Sequence, residues 1–329
     1  MEKKEKSISN VEKKIPVLYI AGTGRNGSTL MERVLNEIPS FFTAGELGQG
    51  WVFYKEKHCL CGKQFDECPV WESIVKDVAR RKVEPGSIIE ANNKYNKKGT
   101  ITTFLKLLRL KKKQALPDDF KQYLKGLQIL YSVIAKKRDC KIMTDSTPLS
   151  LYGYYLSLVP SIDLYVVHLV RDPRGFAHSG SKIKFTSGNV PWSPKIPPFR
   201  SAFSWLKRNW FIERVLSRKK GRYLRVHYEN LIENPIQTLK EIGSLLGIKL
   251  EPSDFIKDNT IHLGENHFSA GNIDAITKQG KIVLKLDERW KRDMKWWNIV
   301  LVTLITWPLL LKYFIVDKMM KKKHVKLGR

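Results

Sequence analysis

Short apolar runs, each closed by turn residues and followed by a stretch of helical period, set the rhythm of this chain. Five runs rich in β-branched and apolar residues read as strands: Val17–Ala21, Phe41–Thr43, Lys141–Thr144, Leu164–Val170 and Tyr223–His227. Between them the spacing turns helical. Leu30, Val34 and Ile38 recur at i, i+4 and i+8 around Ser28–Glu37. Asp118–Lys137 opens on acidic residues after Pro117 and sets Phe120, Leu124, Leu127, Tyr131 and Ile134 along one face. Phe199–Ser217 and Pro235–Leu246 follow the same period. Strands alternating with helices predict an α/β fold: a P-loop-like, doubly wound, mostly parallel five-stranded sheet flanked by helices, with ligands at the carboxyl ends of the strands.

Two stretches break the alternation. Residues 85–115 carry Lys94, Lys97, Lys98, Lys106, Arg109 and Lys111–Lys113 with no acid after Glu90, and read as a lysine-rich surface insertion. Residues 185–198 hold four prolines in a polar run, which reads as a loop or lid. Trp296–Val316 is 21 residues long and mostly apolar. Asn298, Pro308 and Lys312 inside it argue against a membrane span. The expectation is a buried or surface-docked helix pair broken at Pro308, with an interfacial element as the rival. The domain is expected over 15–316, between a flexible tail at 1–14 and a basic tail at 317–329. Met1–Lys14 has no apolar signal core, so the expected location is cytoplasmic, with peripheral membrane contact through the basic tail.

Charge narrows the partners. Against 59 Lys+Arg stand 32 Asp+Glu, a formal net charge of +27, and an anionic partner is expected. At 42% hydrophobic residues the chain can bury a sizeable core, which rules out wholesale disorder, and four cysteines are too few for a disulfide scaffold.

The first strand runs into Gly22-Thr23-Gly24-Arg25-Asn26-Gly27-Ser28-Thr29 and then directly into a helix. Such a turn aims successive backbone N–H groups and a helix N-terminus at one spot, an anion site. Gly22 and Gly27 stand at Walker A separation, but Ser28 occupies the lysine position and Arg25 is the cation left to replace it. The fourth strand ends in Arg171-Asp172-Pro173-Arg174, with Ser179 eight residues after Arg171, at what reads as the first turn of the next helix. A bidentate arginine and a hydroxyl there can converge on a second phosphate.

Two anion motifs without a Walker lysine resemble the sulfotransferases that use 3′-phosphoadenosine 5′-phosphosulfate. Thr23–Met31 is similar to their 5′-phosphosulfate loop, and Val167–Arg174 with Ser179 is similar to their 3′-phosphate motif. Further likeness lies in Val226–Leu231, which contains Tyr228, in Gly271-Asn272, and in Leu286–Lys291. The similarity runs from about residue 15 to about residue 316, and is greatest to the Golgi-type carbohydrate and tyrosylprotein branch and its bacterial relatives. It implies a donor site of Thr23, Gly24, Arg25, Asn26, Gly27, Ser28, Thr29, Arg171, Ser179, Tyr228, Gly271 and Asn272. It implies Arg25 on the leaving group and Glu46, after the second strand, as base. It also implies a hydroxyl-bearing acceptor, expected to be a carbohydrate or anionic glycoconjugate held partly by the lysine run.

Sulfuryl transfer displaces adenosine 3′,5′-bisphosphate, a leaving group good enough that no metal is expected to be required. Asp145 and His178 compete as bases, His178 reading as a helix-surface residue. Where many relatives place a lysine after the third strand, this chain has Thr144-Asp145-Ser146-Thr147, so either Ser146 or Thr147 would donate hydrogen bonds instead, or a lysine from elsewhere would reach in. Cys59, Cys61 and Cys68 with His58 offer a Cys₃His set of poor zinc spacing, against a local disulfide or packed free thiols. Two rival readings remain: a P-loop phosphotransferase, and a basic module docking on membrane or nucleic acid. Nucleic acid is not expected, because the charge follows no recognition motif.

Overall fold

The structure is a computed structural model that describes residues 14–49, 58–83, 85–97, 100–182, 184–185, 191–193, 195–218, 221–252, 255–271 and 279–316. Asn272, Lys98, Met1–Lys13, the basic tail 317–329 and the middle of 185–198 lie outside them.

From the N-terminus, β1 (Ile15–Ala21), α1 (Ser28–Asn36) and β2 (Phe41–Thr43) form the first unit. Four helices follow, α2 (Glu72–Arg80), α3 (Pro85–Lys97), α4 (Thr100–Lys112) and α5 (Asp118–Arg138), leading to β3 (Ile142–Asp145). Next come α6 (Tyr152–Leu156), β4 (Ile162–Val170) and α7 (Pro173–Gly180). A hairpin of β5 (Lys184–Phe185) and β6 (Pro191–Ser193) precedes α8 (Pro198–Leu216). The chain then gives β7 (Tyr223–His227), α9 (Tyr228–Glu233), α10 (Pro235–Leu246), and the antiparallel β8 (Ile256–Lys257), β9 (Thr260–Leu263) and β10 (Gly280–Val283). It closes with α11 (Trp290–Asp293) and α12 (Trp296–Leu310).

The five long-range strands pair in parallel in the order β2-β3-β1-β4-β7. The chain leaves β1 toward β2 on one side and later continues to β4 on the other. That reversal opens a crevice at the carboxyl end of β1. β1 is buried on both faces, as its near-continuous apolar run requires. Val17, Tyr19 and Ala21 join the core under α5 and α6, while Leu18 and Ile20 join the core under α1 and α10. Each strand lies within two residues of its predicted bounds.

Three expectations are corrected. The lysine-rich stretch is not a solvated insertion: it forms α3 and α4, and Ile88, Ile89, Tyr95 and Leu107 are buried in the main core. The lysines ride the outer side of helices whose inner side is apolar. Within 185–198, residues 191–193 pair with 184–185 as a hairpin. The C-terminal segment is not a helix pair. α12 passes through Pro308 without a break and widens into a π-helical turn, Leu311–Val316. A proline removes one N–H from the ladder, and a locally wider turn is one way a helix absorbs such an irregularity. Val302 and Thr306 of α12 are buried, together with Tyr313 in the π turn, while Trp296 and Leu304 are each 70% exposed.

Candidate active site

The glycine loop and the β4–α7 turn are joined. Asn26 Nδ2 donates to the Leu169 carbonyl at 2.9 Å, and Arg171 Nη1 donates to the Arg25 carbonyl at 3.2 Å. Arg25 Nη1 donates in turn to the Ser179 carbonyl. The two predicted anion motifs therefore meet at the carboxyl end of β1. Gly27 is the N-cap of α1 and has no side chain to cap with, and the Asn26 side chain takes over by accepting from Ser28 N at 3.2 Å, at the helix end that meets the loop. Its φ of +96° suits glycine, and a Cβ there would come within 2.4 Å of the Tyr228 ring. Arg25 takes φ +67°, a left-handed conformation uncommon outside glycine, and burial lowers its guanidinium pKa.

Around Arg171 the surroundings are those of a held cation. Its guanidinium lies 4.7 Å from the centre of the Tyr228 ring and 3.2 Å from Asp287 Oδ2. Trp205 Nε1 donates to its carbonyl at 2.9 Å. Asp287 also bonds Arg289, which together with Arg171 holds its carboxyl far below the usual range. Asp172 caps α7 by accepting from the Arg174 backbone N–H. Ser179 stands in the last turn of α7, not the first, because the helix already begins at Pro173. Thr23 is buried, and Gly24, half-buried, has open space where a Cβ would point. Gly271 is half-buried one residue beyond Ala270, which faces Glu46.

On the other side of the crevice stand three carboxyls, Glu32 and Asp145 buried and Glu46 half-buried. Glu46 follows β2, its N–H donating to the Ala270 carbonyl at 3.2 Å. Burial, and then the nearby Asp145, push its carboxyl up to about 8. Asp145 accepts from Tyr131 Oη at 2.5 Å and from Thr147 N and Oγ1 at 2.7 and 2.6 Å. Burial raises it to about 6 against those bonds. Its acceptor capacity is engaged by structural donors, so it serves the fold rather than a substrate proton. Glu32 on α1 accepts from Ser146 Oγ at 2.6 Å and Thr144 Oγ1 at 3.1 Å, and burial pushes it up to about 8. Ser146 and Thr147, expected as donors to the transferring group, thus spend their protons on Glu32 and Asp145. His178 is buried, with Nε2 3.8 Å from Asp293 Oδ2, and is not on the helix surface.

A cavity of about 560 Å³ opens beside the end of β3, between Pro148–Leu151, α8 and the start of α4. Arg200, Lys207 and Arg208 line it with Phe203 and Ser204. Arg208 donates to the Pro148 carbonyl at 3.3 Å, and the Tyr19 hydroxyl donates to the neighbouring Thr147 carbonyl at 2.7 Å. Sequence spacing did not single out Arg208 or Glu32; a cation or acid at an inward position of an amphipathic helix is the signal that would have found them. The cysteine group also changes a member. Cys59, Cys61 and Cys68 gather around His267, while His58 is exposed and its backbone pairs with Gln64.

The glycine loop thus sits at the crevice of a doubly wound sheet, with arginine and no Walker lysine. Residues 16–252 match the model of the sulfotransferase family, and the chain belongs to that family. Over 126 residues it is 32% identical to carbohydrate sulfotransferase 1 of Danio rerio, covering 34% of this chain and 29% of that protein. Over 133 residues it is 31% identical to sulfotransferase 2A1 of Rattus norvegicus, covering 38% of this chain and 45% of that one. The matched part spans less than half the length of these relatives. The sulfotransferase domain of the Synechococcus PCC 7002 olefin synthase superposes at a TM-score of 0.49 and 16% identity, over 89% of this chain and 96% of that one.

An acid whose folded pKa is raised adds stability that is complete below its unfolded value and lost as pH rises through the folded value. Glu32 is raised from 4.5 to about 8. Glu32→Gln is therefore expected to flatten the fall in urea midpoint between about pH 5 and pH 8. An unchanged slope would show that Glu32 is ionised throughout.

Proposed function

We propose that the chain moves a sulfuryl group from 3′-phosphoadenosine 5′-phosphosulfate to an acceptor hydroxyl by in-line displacement. The observation that carries this reading is the joined pair of anion sites. Arg25 and the N-terminus of α1 suit the 5′-phosphosulfate, and Arg171 with Ser179 suits a 3′-phosphate, which ATP lacks. As sulfur leaves, negative charge grows on the bridging oxygen, and donors fixed in advance around it lower the barrier most. Membership in the family supports the donor.

On the attacking side Glu46 is the base. Its raised pKa makes it a stronger acceptor of the hydroxyl proton than an exposed carboxylate. With the hydroxyls of Ser146 and Thr147 engaged, Arg208 supplies the cation at the acceptor wall. The acceptor is a carbohydrate or anionic glycoconjugate, read from the cationic cavity and from the carbohydrate sulfotransferases among the relatives. Arg200, Lys207 and Arg208 replace the lysine run in that role: Lys94 pairs with Asp119, and Lys111–Lys113 do not line the cavity. The same 3′-phosphate chemistry disfavours a P-loop phosphotransferase.

Adenosine 3′,5′-bisphosphate is expected to raise stability by about 2.7 kcal/mol at a hundredfold excess over Kd, with ATP and ADP giving far smaller shifts in thermal unfolding. Equal shifts from ATP would remove the sulfotransferase reading. Glu46→Gln is expected to keep affinity for the bisphosphate and to cut kcat by roughly 10²–10⁴. It should also abolish the limb of kcat/KM that rises with pH toward about 8. Near-normal kcat in that variant would make Glu46 a structural loop residue.

We further propose that α12 rests on an anionic membrane surface. Trp296–Phe314 is long and apolar enough to cross a membrane by length and composition alone, but its inner side packs on α7 and α8, and Lys312 pairs with Glu213. Its outer side exposes Trp296, Trp297, Val300, Leu304 and Trp307, with Lys291, Arg292 and Lys295 at its start. Tryptophan beside lysine and arginine suits the headgroup layer. The protein is expected to sediment with phosphatidylglycerol vesicles, less with phosphatidylcholine, and neither after Trp296→Ser with Leu304→Ser. A dimer in solution that buries this face, or no sedimentation, would overturn the proposal.

A further inference from the structure

Away from the anion sites, the loop that follows Glu46 gathers three thiols and an imidazole. Cys59, Cys61, Cys68 and His267 bring four ligand atoms within 4.8 Å of one another. Cys61 Sγ lies 3.8 Å from Cys68 Sγ, and Cys68 Sγ lies 3.3 Å from His267 Nδ1. Tetrahedral zinc, with Zn–S of about 2.3 Å and Zn–N of about 2.0–2.1 Å, spaces its sulfurs by about 3.8 Å and sulfur from nitrogen by about 3.5 Å. The Cys61–Cys68 and Cys68–His267 spacings agree with these within a few tenths of an ångström, and no other pair of the four is farther apart than 4.8 Å.

The backbone is shaped to hold this set. Cys59 N donates to the Lys63 carbonyl at 2.8 Å, and Gly62 N returns to the Cys59 carbonyl at 2.9 Å. Gly62 takes φ +90°, a left-handed conformation that favours glycine, in the turn that carries Cys59 and Cys61. Cys68 N donates to the Gln64 carbonyl at 2.9 Å and brings the third thiol back. Trp71 Nε1 donates to the His267 carbonyl at 2.6 Å and fixes the imidazole segment against the same loop. Behind the ring, Glu265 Oε1 lies 3.6 Å from His267 Nε2. A carboxylate on the far nitrogen is the usual support of a metal-bound histidine.

We propose that Cys59, Cys61, Cys68 and His267 bind one zinc ion in a closed, structural site. Four protein ligands leave no position for substrate, so the ion acts on the fold. A disulfide would use two of the thiols and leave the third and His267 converging on nothing. The ion ties the 59–68 loop to residues 265–270. That segment accepts from Leu60 N at Phe268 O (3.2 Å), donates from Ser269 N to Ala44 O (2.9 Å) and accepts from Glu46 N at Ala270 O (3.2 Å). Zinc thereby braces from behind the loop on which Glu46 sits. The proposal stands whatever reaction the crevice performs.

The test is elemental analysis of the full chain purified without chelator. One zinc per chain is expected in the wild type, in His58→Ala and in Cys140→Ser, with loss in Cys61→Ser and His267→Ala. Because removing a structural ligand can unfold the chain, the wild type is also measured after exchange of zinc for cobalt. The strong d–d bands of tetrahedral cobalt and a thiolate charge-transfer band are expected. Glu265→Gln should lower zinc affinity by roughly 10–100-fold while keeping those bands. Two of the three cysteines found disulfide-linked by non-reducing peptide mapping, or the weak spectrum of octahedral cobalt, would overturn the site. So would a metal-free wild type with an unchanged melting temperature.

Discussion

The carboxyl edge of the sheet depends on how closely the glycine loop approaches the end of β4. A Cβ at Gly22 would stand 2.6 Å from the Leu169 carbonyl, so the two backbones meet with no room for a side chain between them. Asn26 and Arg171 then bond across the seam, and Arg25 is pressed into a left-handed conformation that costs of order 1–3 kcal/mol. The result is two guanidiniums beside one loop. Their mutual repulsion is offset by the Ser179 carbonyl, the Tyr228 ring and Asp287. Such a site is already arranged for negative charge before any arrives.

Opposite that cationic side, a basic chain buries Glu32 and Asp145 and half-buries Glu46. Burial, more than pairing, governs Glu32, Asp145 and Glu46. Tyr19 ties the centre of β1 to the Thr147 carbonyl and so holds the acidic side in register with the cationic one. The two walls of the crevice thus carry groups of opposite tendency, guanidiniums on one and carboxyls on the other. Lys94, Lys106 and Lys111–Lys113 lie on outer faces and do not enter this division.

The sheet was legible because each strand is a short apolar run between turn residues, a signal that depends only on neighbours in sequence. Pro235–Leu246 matched its predicted bounds for the same reason. The lysine stretch misled because its charge density hides Ile88, Ile89, Tyr95 and Leu107, whose helical spacing carries the packing. Pro308 misled because its effect depends on what α12 packs against. His178 looks exposed until α11 brings Asp293 across it. The thiol cluster needed a fourth member that no local spacing reveals, since His267 lies 199 residues from Cys68. Tertiary contact, not local pattern, decides each of these.

The bond from Ser269 to Ala44 joins residues 225 apart in sequence. Loop closure over so long a span has a high entropic cost and little local structure to guide it, and contacts of high sequence separation slow folding. Strands β1 and β2 and helix α1 can associate early, yet the backbone around Gly45 and Glu46 has to wait for the last quarter of the chain. On a ribosome the crevice would exist as an open sheet edge long before the Glu46 loop is closed. Closure of the Glu46 loop thus depends on the arrival of residues 265–270, and Asp287, which holds Arg171, comes later still.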